Sequence, residues 1–274
     1  MPPRPQADGP RDGSRDEPRN EPRARPLLAF DLDGCLVDSD AAITEAYGRA
    51  LRAVDVEPPP ARELTWVIGP PLSESFGQVL EAAGVPAHAR TEWVARAVEV
   101  FRARYAVTSR TETALHDGMV EVLEAVAPHA RLVVVTSKVA PAARGILEVL
   151  DLDRHLEALY APEEHAPGEP KTETLARAME ELGANPEDGR VVMIGDRRHD
   201  IDAGRANGTA TVGVTWGSGS PEELEEAGAD RIVDTPAELS TVLLEFVRSG
   251  SSGPAGRLGP NGLPGSPRRT GPTA

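Results

Sequence analysis

Leu27-Leu28-Ala29-Phe30-Asp31-Leu32-Asp33-Gly34-Cys35-Leu36-Val37-Asp38-Ser39 is the stretch on which the reading of this chain turns. It begins as a short apolar run, the signature of a strand, and ends in a carboxylate. In an extended segment residues i and i+2 face the same way, so Asp31 and Asp33 converge on one point at the strand end. Gly34 lets the backbone turn sharply straight afterwards. Two close carboxylates repel, so they require a cation between them or a shared proton. Mg²⁺ suits such a pair: it is a hard ion that binds a few carboxylates together with phosphate and water.

Further strand signals follow this one. β-Branched runs occupy 131–136 and 190–195, and weaker ones occupy 210–215 and 231–233. Helical spacing lies between them. Met119, Val122, Leu123 and Val126 recur at i, i+3, i+4 and i+7, and segments 146–150 and 175–182 behave similarly, the latter stopped by Gly183. Alternation of this kind predicts an α/β fold, a doubly wound parallel sheet with helices on both faces. Sites in such sheets lie at the carboxyl ends of the strands, where Asp31, Thr136 and Asp196 fall.

One gap breaks the rhythm. About 100 residues separate the first strand from the second, whereas a crossover needs only about a dozen. The inserted stretch has helical faces, one with Tyr47, Ala50, Leu51 and Val54, another with Trp93, Ala97, Val100 and Phe101. We expect a small helical domain over 43–112, inserted into a core made of 27–42 and 113–247. The ends, 1–26 and 248–274, are rich in proline or glycine and poor in large apolar side chains, so they are expected to be disordered.

Composition excludes several functions. Of 274 residues, 29 are Lys or Arg and 44 are Asp or Glu, for a formal net charge of −15. The N-terminal end carries six arginines against five acids, and the C-terminal end four arginines and no acid, so the middle stands near −20. Such a body does not suit nucleic-acid backbones or anionic lipid. Cys35 is the one cysteine, which excludes an internal disulfide and a cysteine-built zinc site. No window resembles a membrane span or a secretory signal, and a cytoplasmic setting is expected.

Three more segments carry chemistry. Gly195-Asp196-Arg197-Arg198-His199-Asp200-Ile201-Asp202 again follows an apolar strand. Asp196 can complete the metal site, and Asp200, one helical turn on, can support it. Asp202 is expected near a helix start, and His199 as a packing or solvated side chain. Thr136-Ser137-Lys138 ends the second strand, where hydroxyls and backbone N–H groups bind phosphate oxygens. Lys171 opens a helix after Pro167-Gly168-Glu169-Pro170. A cation there opposes the helix dipole, so a role toward a phosphate or toward Asp31 is expected.

In this order the segments resemble the haloacid-dehalogenase-like hydrolase superfamily, over about residues 27–240. Val67-Ile68-Gly69-Pro70-Pro71-Leu72, Thr136-Ser137-Lys138 and 195–202 are similar to the branch that holds phosphoglycolate-phosphatase-like and 5'-nucleotidase-like members with a helical cap. The resemblance implies a Mg²⁺-dependent phosphatase. Asp31 would be the nucleophile and form an aspartyl-phosphate. Asp33 would protonate the leaving oxygen and then take a proton from water. Mg²⁺ would be held by Asp31, the main-chain carbonyl of Asp33, and Asp196, with Asp200 supporting. Thr136, Ser137 and Lys171 would hold the phosphoryl oxygens. Cys35 departs from the usual Thr; it is expected to pack without loss of activity and to add oxidation sensitivity.

A dehalogenase is disfavoured by Asp33, and a cysteine-dependent phosphatase by Ala41, which stands where Cys-x₅-Arg needs its arginine. A sugar-phosphate mutase of the same fold, or a non-catalytic binding module, remains the alternative. The expected partner is a small phosphorylated metabolite, its leaving group read by residues near 69–76.

Overall fold

In the computed structural model, residues 25–164 and 168–249 are described; the tails expected to be disordered lie almost wholly outside them. Among the described residues eight strands occur in chain order: β1 (Leu27–Phe30), β2 (Val37–Asp38), β3 (Ala114–Leu115), β4 (Arg131–Val135), β5 (Ala158–Tyr160), β6 (Val191–Gly195), β7 (Ala210–Val214) and β8 (Arg231–Val233). The described helices are α1 (Asp40–Arg52), α2 (Leu72–Ala82), α3 (Ala87–Thr108), α4 (Met119–Val126), α5 (Ala140–Val149), α6 (Lys171–Leu182), α7 (Arg198–Ala206), α8 (Pro221–Ala227) and α9 (Pro236–Ser249).

Six strands form one parallel sheet in the order β5-β4-β1-β6-β7-β8. Its three central strands are apolar throughout, apart from Arg131 at the start of β4, because both faces are covered. Leu28, Phe30, Leu132, Val134, Val192 and Ile194 point to the face packed by α4, α5 and α9. Leu27, Ala29, Val133, Val135, Val191 and Met193 point to the other, against Leu175, Ala178 and Met179 of α6 and Ala203 of α7. The pleat thus splits each run between two cores. The chain reverses direction across the sheet between β1 and its two neighbours, β4 and β6, and the carboxyl ends of these three strands meet there.

The short strand β5 escapes the sequence reading. It has three residues, two of them only partly buried, and extends the sheet beside β4. Edge strands this short lack the apolar run that marks the centre.

The helical insertion holds α1, α2 and α3. Its entry and exit are tied together by the antiparallel pair β2 and β3. It has a core of its own, in which Tyr47 stacks on Phe76 with centroids 3.9 Å apart and Phe101 meets both rings edge-on at 6.2 Å. Two core side chains reach up to it: Arg197 bonds the carbonyl of Ile68, and Lys138 bonds the hydroxyl of Tyr105. Among the described residues no helix is long and apolar enough to cross a membrane.

Candidate active site

Asp31 is the first residue past β1, and its N–H donates to the carbonyl of Ile194 at 2.8 Å. Asp196 is the first past β6, and Thr136 the first past β4. Three strand ends therefore deliver three polar side chains to one point. Asp200 adds a fourth from the first turn of α7, where it also accepts from the N–H of Arg197 at 3.0 Å.

Asp31, Asp196 and Asp200 are all buried, and oxygens of the three lie within 4.8 Å of one another. Lys171, at the start of α6, is buried beside them. Its Nζ lies 2.9 Å from Asp31 Oδ1 and 2.5 Å from Asp200 Oδ1. Burial pulls the Lys171 pKa down, but the carboxylates of Asp200 and Asp31 outweigh it and hold the ammonium charged. The helix dipole opposes a cation at this position; two carboxylates overcome it.

One lysine does not balance three carboxylates. Burial is the main force pushing the Asp31 pKa up to about 7; Lys171 opposes it and the charge of Asp200 adds to it. Asp196 is raised well above the carboxylate range, again first by burial and then by Asp200 and Asp31. Among the described residues two oxygens of the site also lack hydrogen-bond partners: Asp196 Oδ1, and Asp31 Oδ1, whose contact with Lys171 lacks hydrogen-bond geometry. Orphaned buried oxygens on crowded carboxylates are what a divalent cation satisfies, so the donor set fits a hard metal ion.

Glycines shape the nest around Asp196. A Cβ on Gly34 would stand 2.3 Å from Asp196 Oδ2, and φ of Gly34 is +78°. A Cβ on Gly217 would meet the same oxygen at 2.3 Å and the Gly34 carbonyl at 2.4 Å. Only hydrogen fits at either position. The N–H of Ser218 donates to Asp196 Oδ2 at 2.7 Å and fixes the carboxylate.

The carboxylate of Asp33 stands outside this trio. Its Oδ1 accepts from Ser39 Oγ at 2.6 Å and pairs with Lys138 Nζ at 2.9 Å. Lys138 also lies over the ring of Tyr105, 4.2 Å from its centroid. Burial lowers the pKa of Lys138, but Asp33 and Tyr105 outweigh it and the group is held above its ordinary value. Sequence reasoning quoted Lys138 but assigned it no part. The available signal was its place three residues past a strand end; its partner on α3 is remote in sequence.

Other expectations fall out as follows. Thr136 is buried, its Oγ1 accepting from the N–H of Lys138 at 3.2 Å, and Ser137 is half-buried at the cavity wall. Asp202 lies in the second turn of α7 rather than at its start, exposed and 3.7 Å from Arg198. His199 is half-buried near Gly69, outside the acidic trio. Cys35 is fully buried, and burial first, then Asp31, Asp196 and Asp200, push its thiol pKa well up. A thiol held protonated and out of solvent resists oxidation, so the expected sensitivity is not supported.

A cavity of about 800 Å³ opens from this point toward the insertion. Asp31, Asp33, Thr136 and Lys171 form its floor. Gly69, Pro70, Pro71, Leu72 and Ser73 line it, but Phe76 does not; that ring is buried in the core of the insertion against Tyr47. The face of α3 supplies much of the wall, a contribution the sequence reading did not foresee, and the start of α5 adds Pro141 and Ala142.

A six-stranded parallel sheet with a helical insertion over carboxylates at its switch point defines a class, and comparison with known proteins names it. The family described as haloacid dehalogenase-like hydrolase matches residues 28–214, and the chain belongs to that family. Among curated relatives, the tyrosine-protein kinase PtkA of Mycobacterium tuberculosis is 33% identical over 201 residues, 73% of this chain. The match spans 65% of that relative's length. A 5'-nucleotidase of Pseudomonas aeruginosa is 36% identical over 200 residues, 73% of this chain and 86% of its own. The crystal structure of a predicted phosphatase from Clostridium acetobutylicum superposes with a TM-score of 0.72 and 30% identity, covering 81% of this chain and 99% of that one. By its fold and site the protein is a haloacid dehalogenase-like hydrolase.

Proposed function

We propose that the protein hydrolyses a small phosphomonoester through an aspartyl-phosphate on Asp31, with Mg²⁺ as cofactor and the 43–112 insertion as its cap. The observation that carries this is the convergence of Asp31, Asp196, Asp200 and Lys171 beside a second carboxylate, Asp33, two residues from the first. Phosphoryl transfer needs in-line positioning and neutralisation of oxygen charge; a nucleophilic carboxylate beside an ammonium and a cation-fitting carboxylate set supports that reading.

Mg²⁺ would be held by Asp31, Asp196, Asp200 and the main-chain carbonyl of Asp33, and it would neutralise the phosphoryl oxygens and the nucleophile together. A carboxylate of Asp31 attacks phosphorus and the ester oxygen leaves. Asp33 gives that oxygen a proton, then takes one from the water that hydrolyses the acyl phosphate. Lys171 and the hydroxyls of Thr136 and Ser137 hold phosphoryl oxygens. The cavity floor lies beneath the insertion, which favours a small molecule and hinders a folded phosphoprotein or a duplex.

The test is phosphate release from a panel of phosphomonoesters, with Mg²⁺ and with chelator. Asp31→Asn should lower turnover by about 10³-fold or more, roughly 4 kcal/mol of barrier. Near-normal turnover of the purified variant overturns the mechanism. Transfer of the phosphoryl group to another hydroxyl without free phosphate would point instead to a mutase, or to the kinase activity named for the mycobacterial relative.

A further inference from the structure

Four cations line the cavity, and three of them face carboxylates. Lys171 pairs with Asp31 and Asp200, Lys138 with Asp33, and Arg110 stands 3.8 Å from Glu148. The fourth, Arg102, has no ion pair and no hydrogen bond among the described residues, and its Nε is closed off from solvent without an acceptor. An orphaned buried donor in a chain so rich in acids needs a reason.

Position supplies one. Arg102 lies on the face of α3 that also carries Val94, Val98, Phe101 and Tyr105 to the cavity. The hydroxyl of Tyr105 bonds Lys138, which holds Asp33. Arg102 is three residues before Tyr105, which is about 4.5 Å along the helix axis. Arg102 thus lines the same cavity as the catalytic floor, with apolar side chains of α3 beside it. A cavity of about 800 Å³ also exceeds what a two-carbon leaving group fills.

Resting on the phosphatase reading above, we propose that Arg102 is a specificity-determining residue, and that the substrate is a phosphomonoester whose leaving group is an apolar, ring-sized body bearing a second anionic group. The phosphoryl group occupies the floor at Asp31. The ring lies against Phe101 and Tyr105, which line the cavity on either side of Arg102 along α3. The distal carboxylate or phosphate takes the guanidinium fork, whose planar donors match either anion. On a strongly acidic body this unpaired cation discriminates among anions that are otherwise repelled.

Two esters of equal size separate the outcomes: 4-carboxyphenyl phosphate and its neutral amide, 4-carbamoylphenyl phosphate. Both are assayed in Mg²⁺ with the full chain, Arg102→Gln, Arg102→Lys and Asp31→Asn. The full chain should favour the carboxylate ester by about tenfold or more in kcat/KM, mostly through KM. Arg102→Gln should bring the ratio close to one, and Arg102→Lys should keep part of it. A ratio near one in the full chain, or the same preference in Arg102→Gln, overturns the proposal. If both esters are hydrolysed equally, the phosphatase reading stands and only this inference falls. If neither releases phosphate faster than with Asp31→Asn, the phosphatase reading fails and carries this one with it. The full-chain ratio is decisive even if the glutamine variant does not fold.

Discussion

Lys138 shows how a single side chain joins two layers of the molecule. Its ammonium meets Asp33 at the strand edge and Tyr105 on the insertion, so it orients the proposed acid–base residue against a helix that is otherwise remote. Lys138→Met would leave Asp33 with Ser39 alone. We expect a stability loss of about 3 kcal/mol, because an inward-facing carboxylate loses its counter-charge. Turnover should also fall, with the change in kcat exceeding that in KM, since a positioning residue acts on the reacting geometry. Denaturant melts and steady-state kinetics check both. An unchanged kcat would remove Lys138 from the site. Lys171→Met should be harsher, because it exposes Asp31 and Asp200 to each other.

At the scale of elements, the site depends on loops that approach more closely than side chains permit. Asp196 is clasped between the turn after β1 and the segment after β7, at Gly34 and Gly217. Gly217→Ala places a methyl group against a carboxylate and a main-chain carbonyl. Backbone must shift to admit it, and we expect about 1–3 kcal/mol of destabilisation, as for an overpacked core. Because the displaced group is Asp196, calorimetry should also show weaker Mg²⁺ binding than in the unmodified chain. Unaltered Mg²⁺ affinity would show that the clasp is structural only. The strand ends themselves were legible from sequence, since Asp31, Thr136 and Asp196 each follow an apolar run. The contribution of α3 was not, because its wall residues are read as helix spacing whatever they face.

For the whole molecule, the crowded carboxylates make stability depend on pH and metal. In chelator, Asp31 titrates near 7 in the folded chain, against an ordinary value of 3.8. Between those values the folded state holds a proton that the unfolded state has lost, so stability is greatest at the acid end and falls as pH rises toward 7. Asp196 acts in the same direction. The melting temperature in chelator should therefore drop between about pH 5 and pH 7. Saturating Mg²⁺ should raise it by linkage, through a stabilisation of about 2.7 kcal/mol at a hundredfold excess over Kd, and flatten the slope. A melting temperature in chelator that rises over this window would contradict the proposed electrostatics. The insertion over the cavity makes a further prediction: kcat/KM for small metabolites should exceed that for phosphopeptides or nucleic acids. Macromolecules favoured by more than about tenfold, roughly 1.4 kcal/mol, would show that the insertion does not act as a cap.

By itself the sequence determined the local features. Apolar runs of four or five residues specify strands buried on both faces, 3.6-residue periodicity specifies the helices between them, and each strand's last apolar residue locates the polar one that follows. Those signals are short-range and survive without knowledge of neighbours. Tertiary structure alone decided which strand ends adjoin, because the order β5-β4-β1-β6-β7-β8 is a matter of pairing across long crossovers. It alone brought Lys138 to Tyr105, moved Phe76 into the core of the insertion, and left Arg102 Nε without an acceptor among the described residues. Charge pairing and burial are properties of what a side chain meets, and the partners of Lys138 and Phe76 lie tens of residues away in sequence.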